Sequence, residues 1–146
     1  MTPLEFLVPL GALESVAGVL PYVILVLVLG SFLTRHRAHQ THKRAADDGV
    51  DAVERYTPHS ALSIVLVLVS FLYMVVRPHG GMVISVLVLG MVVADFFEFE
   101  ARLVEVRNDM ELEAPKSAIG ASVLALTYAA FQALFWIIKE PWEMII

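Results

Sequence analysis

The chain has no cysteine among its 146 residues, and four long stretches, 15–34, 56–76, 78–94 and 117–138, contain no Asp, Glu, Lys or Arg. The first absence excludes disulfides, thiolate metal sites and cysteine nucleophiles. The second is more informative. A hydrocarbon layer roughly 30 Å thick is crossed by about 20 helical residues rising about 1.5 Å each, and every stretch is long enough or nearly so. Helices of a soluble bundle carry a polar face, and these segments have none. The sequence therefore predicts an all-α polytopic membrane protein. It forms a single domain over residues 1–146, with four transmembrane helices at about 15–34, 58–76, 80–97 and 116–138. The 58% hydrophobic content and mean hydropathy of +0.75 agree. Little chain is left for a separate soluble enzyme domain. The first apolar run is preceded by Glu5 and Glu14 and by no basic residue, which predicts a retained helix rather than a cleaved signal peptide.

Basic residues are also few, 10 against 15 acidic, which argues against a nucleic-acid partner. Their placement predicts the threading. Arg35, Arg37, Lys43, Arg44 and Arg55 follow the first stretch, and Arg102, Arg107 and Lys116 follow the third, whereas the opposite side has Arg77 and Lys139. By the positive-inside rule, both chain ends face outward and the two basic connectors face the cytoplasm. Residues 77–81, Arg-Pro-His-Gly-Gly, make a tight outer hairpin. Thr57-Pro58 reads as a helix start, and Pro115 opens the fourth span. Trp136 and Trp142 at one end, with Phe96, Phe97 and Phe99 at the other, suit interfacial aromatic belts. Pro21 lies inside the first run. A start there leaves only about 13 residues before Arg35, too few to span, so the expected helix begins near Ser15 and is kinked at Pro21. Residues 4–13, bracketed by Pro3 and Pro9, are expected on the outer interface.

The end of the third span carries the densest polar signal. Asp95, Glu98, Arg102, Glu105 and Asp109 recur at spacings of three and four, so they share a helical face. Beside it, Phe99, Leu103, Val106 and Met110 form an apolar stripe. The third helix should continue into the cytoplasm to about Met110. An ionised group near membrane depth makes Asp95, with Glu98 and Arg102, a candidate ion or proton site. The simpler expectation is local pairing at the interface, with Glu98 and Arg102 as a helix-surface ion pair. His36, His39 and His42 fan around a helix rather than converging, which leaves at most a neighbouring pair to share an ion. No metal site, cofactor or catalytic residue is predicted. The basic stretch 35–44 faces either anionic lipid headgroups or the acidic connector after the third span.

In the fourth span Ala121, Ala125, Ala129 and Ala133 repeat every four residues, a small-residue ridge that lets helices approach closely. It is the candidate packing face, meeting another helix of this chain or a partner subunit. Gly90 and Ala94 make a smaller notch on the third span. The first two spans, rich in Val and Leu, are expected to be the more lipid-exposed. Tyr73, Ser70 and Gln132 are too sparse to define a channel.

Thr57-Pro58-His59, the segment His79-Gly80-Gly81-Met82-Val83 and the segment from Asp95 to Arg102, Asp-Phe-Phe-Glu-Phe-Glu-Ala-Arg, resemble a family of small, uncharacterised haloarchaeal integral membrane proteins. The resemblance implies a haloarchaeal cell membrane, a setting with which the acidic, lysine-poor composition is compatible, and supplies no catalytic residues. The functional expectation is a non-enzymatic accessory or scaffold subunit of a membrane assembly, with a protein partner or as a homo-oligomer. The alternative is a small oligomeric proton or cation conductor using Asp95 and Glu98.

Overall fold

A computed structural model describes residues 10–145. Its described residues are mostly helical, with no strand among them. A short α1 (Leu10–Val16) precedes four long helices, α2 (Leu20–Ala46), α3 (Thr57–Val76), α4 (Pro78–Arg107) and α5 (Lys116–Ile145). All four long helices are long and apolar enough to cross a membrane. Each packs against the next in the chain, and α5 returns to α2. The result is an antiparallel four-helix ring in which α2 and α4, like α3 and α5, lie on diagonals.

The first long helix departs from expectation. It begins at Leu20 and not near Ser15, and Pro21 sits in its first turn, where a missing N–H costs no helical bond. No kink is needed, because the helix does not end near Arg35 but continues to Ala46. The assumption that a charge ends the buried segment fails here, since Arg35 is only 3% exposed. Residues 4–9 of the expected interfacial segment lie outside the described residues, as do Pro3 and Glu5. The rest forms α1, whose Leu13 joins Ala17 in the core.

Helix α3 starts at Thr57 with Pro58 in its first turn, α5 starts at Lys116 directly after Pro115, and α4 ends at Arg107, short of Met110. The core runs down the bundle axis through Ile24, Val28, Leu66, Ile84, Val88 and Ala125, each at most 1% exposed. Helix α2 is the most buried of the four and not among the more exposed. Three interior serines are satisfied within their own helices: Ser31, Ser70 and Ser122 donate to the carbonyls of Val28, Leu66 and Ala118, whereas the buried Ser85 hydroxyl has no partner among the described residues. Ser70 thus makes no polar path with Tyr73.

At the α3–α4 joint only Arg77 separates the two helices. A Cβ on Gly81 would lie 2.0 Å from the Met74 Cα, so the hairpin closes only because this residue has no side chain. Beside it Tyr73 donates a 2.8 Å hydrogen bond to Gln132 Oε1 on α5. Trp136 donates its indole N–H to the Tyr22 hydroxyl, linking α5 to α2.

Candidate functional site

The opposite end of the bundle concentrates the buried charge. Asp95 on α4 reaches across the diagonal to Arg35 on α2 in a bidentate pair, Nε–Oδ1 2.7 Å and Nη2–Oδ2 3.0 Å. His59, one turn into α3, lies 3.0 Å from Asp95 Oδ2 through its Nε2. Three helices are tied at one carboxylate. The other nitrogen of His59 faces the Thr34 hydroxyl at 2.7 Å. That hydroxyl donates its single proton to the Ser31 carbonyl at 3.2 Å, which leaves its lone pairs to accept from His59 Nδ1–H.

Two turns beyond the tie, Arg102 is 5% exposed, and its Nη1 donates to His42 Nδ1 at 3.0 Å. Because a guanidinium only donates, Nδ1 must be the unprotonated nitrogen. His42 Nε2–H is then left to donate to the Glu54 carbonyl at 2.8 Å. Burial, reinforced by the Arg102 charge, lowers the His42 pKa below its ordinary 6.5, although the Glu54 bond acts in the opposite direction. His39 is lowered as well, by burial first and then by Arg102. Both histidines lie past the apolar part of α2. His36 is exposed. Among the described residues no group of three or more metal-capable side chains assembles.

Glu98 and Arg102 make no ion pair in the structure. Glu98 instead accepts from the backbone N–H of Ser117 at 3.3 Å and from its hydroxyl, a carboxylate stabilising the first turn of α5. Glu105 likewise accepts from the Glu113 N–H at 3.0 Å. The charged face of α4 therefore points inward and organises the end of the bundle, while Phe97 on the other side is 64% exposed. In the fourth long helix Ala125, Ala129 and Ala133 are buried along with Ala118 and Ser122, and Ala121 is partly buried. The buried line follows spacings of four and three and meets α2 and α4 of the same chain.

Between α2, α3 and α4 these groups border an open groove of about 450 Å³. Arg35, His59, Asp95 and Arg102 form its polar end, and Ile64, Val67, Leu68, Leu89 and Val92 its apolar length. Arg55 closes the polar end, its guanidinium 4.4 Å from the Phe99 ring centroid and 5.0 Å from that of Phe96. Arg55 also reaches Glu100 at 3.5 Å, but both side chains are about half exposed, so this contact adds little. Arg35, His59 and His42 are the partners that the spacing of α4 alone did not supply. For Arg35 and His59 the signal is position, since Arg35 ends one charge-free stretch and His59 lies one turn inside the next; His42 carries no such mark.

The fold and site define an all-helical, four-helix antiparallel bundle with an ionic tie at one end. A family model described as a domain of unknown function, DUF7313, matches residues 2–146. The chain belongs to that family. Neither the curated proteins nor the solved structures gave a match.

Proposed function

We propose that the protein is a non-enzymatic, multi-pass cell-membrane protein, with both chain ends outside, that serves as an accessory or scaffold subunit of a membrane assembly. A haloarchaeal membrane is the setting proposed for it. The reading is supported by four apolar helices long enough to span, by the crowding of Lys and Arg at the Arg35 end, and by the broad apolar surface left outside. The observation that carries it is the commitment of Asp95 to Arg35 and His59. A carboxylate held by two partners from two helices fixes helix positions, which is what a rigid subunit needs.

The competing reading is an oligomeric proton or cation conductor. It draws on the unbroken line of polar contacts from Thr34 through His59 to Asp95. Purification in mild detergent followed by mass measurement separates the two. A stoichiometric unrelated partner supports the scaffold, a homo-oligomer supports the conductor, and a lone 16.1 kDa chain overturns both. Threading is tested by single cysteines replacing Asp47, His79 or Met144. Labelling of 47 from outside intact cells, or no labelling at 79 and 144, would reverse the orientation.

A further inference from the structure

We infer that the groove between α2, α3 and α4 binds an acidic membrane lipid, its anionic headgroup at Arg102 and one hydrocarbon chain along α3 and α4. Arg102 is the first reason. It is 95% buried by the 5% exposure already given, yet no carboxylate stands within ion-pair distance of it among the described residues. Among the described residues the only hydrogen-bond partner of its guanidinium is the neutral His42, and its Nε has none. A buried guanidinium with no carboxylate in contact is costly, and Glu98, Asp95 and Glu105 act on Arg102 only from beyond ion-pair distance. Arg35, paired with Asp95 on one side, also keeps a buried Nη1 without a partner. Both residues border the same groove, so its polar end carries the positive charge of Arg102 with no carboxylate in contact with it among the described residues. Such a surface takes an acceptor-rich anion.

The rest of the groove decides what kind of anion. From Arg102 back to Leu89 along α4 is 13 residues, or about 20 Å of helix. Beyond the charged end and Ser63, whose hydroxyl is spent on the His59 carbonyl, that path is bordered by the aliphatic side chains Ile64, Val67, Leu68, Leu89 and Val92 of α3 and α4. Ile64, Leu68 and Leu89 are 61%, 57% and 41% exposed, so the groove is continuous with the outward apolar surface and opens sideways. A small hydrophilic anion would leave this length unfilled, whereas a lipid entering from the side covers it and delivers its headgroup to Arg102. His59 and Arg55 flank that position. The inference rests on the helices lying in a bilayer. It is independent of whether the protein acts as a scaffold or a conductor.

The test compares lipid retention by native mass spectrometry after delipidation. The purified chain is offered phosphatidylglycerol or phosphatidylcholine with identical hydrocarbon chains, or inorganic phosphate alone. A charge-assisted contact predicts that phosphatidylglycerol is retained at least about tenfold better than phosphatidylcholine. Arg102→Gln should bring that ratio close to one, and Arg102→Lys should keep part of it. Leu68→Trp fills the apolar length without touching a charge, so it should reduce retention of both lipids several-fold while leaving the bundle folded. Equal retention of the two lipids by the native chain, or an undiminished preference in Arg102→Gln, would overturn the inference. So would protection against thermal unfolding by phosphate alone equal to that by phosphatidylglycerol, with Leu68→Trp without effect. That result would assign the site to a free anion. Loss of the protein partner with lipid retention intact would count against the scaffold reading only.

Discussion

The two ends of the bundle solve the same problem with opposite chemistry. At the hairpin end, helices are drawn together by removing a side chain at Gly81 and by neutral hydrogen bonds such as Tyr73 to Gln132. At the other end they are held by a carboxylate shared among Arg35, Asp95 and His59. Close backbone approach leaves no space, and the hairpin end is packed shut. Long charged side chains hold helices apart, and a groove opens beside them. The difference teaches where this chain can accommodate a ligand. It also predicts which changes collapse the structure and which only retune it.

The largest effect should come from Asp95→Ala, which strands Arg35 as an unpaired buried charge and should cost about 3–5 kcal/mol. The measurement is thermal or denaturant unfolding in detergent. Adding Arg35→Met should restore much of the loss, and a double variant no better than the single one would show that the tie is not a unit. At the other end Gly81→Ala forces a Cβ against the Met74 backbone and should cost about 3 kcal/mol, the upper part of the usual range for overpacking. If Gly81→Ala melted like the native chain, the hairpin would not close as described.

Tyr73→Phe removes one hydrogen bond, strands Gln132 Oε1, and should cost about 1 kcal/mol. A smaller effect is a pH dependence at the charged end. Because burial lowers the folded-state pKa of His42 below 6.5, the unfolded chain binds the proton more readily. The stabilisation is complete above about pH 6.5 and is lost as pH falls below it. Melting profiles between pH 5 and 8 should decline on the acid side, and His42→Gln should flatten that decline. The smallest effect belongs to Arg37→Glu. Arg37 is exposed, so its reversal should stay within about 0.5 kcal/mol, whereas Arg35→Glu sets two carboxylates together and should approach the loss seen with Asp95→Ala. Equal, graded effects of the two reversals would mean that the basic stretch acts only as a diffuse charge.

Much of the architecture was legible in the residues. Runs without charge predict apolar helices, Pro58 and Pro115 punctuate two of their starts, and the Ala125, Ala129 and Ala133 spacing marks a face where backbones come close. These signals are local, because helix length, proline geometry and side-chain size act within a few residues of chain. Pro21 was misread for the same reason. Whether a helix may run on past Arg35 depends on a carboxylate 60 positions away.

The charged face of α4 shows the limit most clearly. Its spacing states that Asp95, Glu98 and Arg102 share a side, and an exposed side is the natural expectation for three ions. The tertiary structure decided otherwise. It set Asp95 against Arg35 and His59, gave Glu98 to the first turn of α5, and left Arg102 buried beside His42 with no carboxylate within ion-pair distance among the described residues. By itself the sequence determined the helices and their order, since these follow from hydropathy and backbone chemistry along the chain. Only the packing of four helices decided which charges are paired and which is left free beside an open groove, because pairing is a matter of distance between residues far apart in sequence.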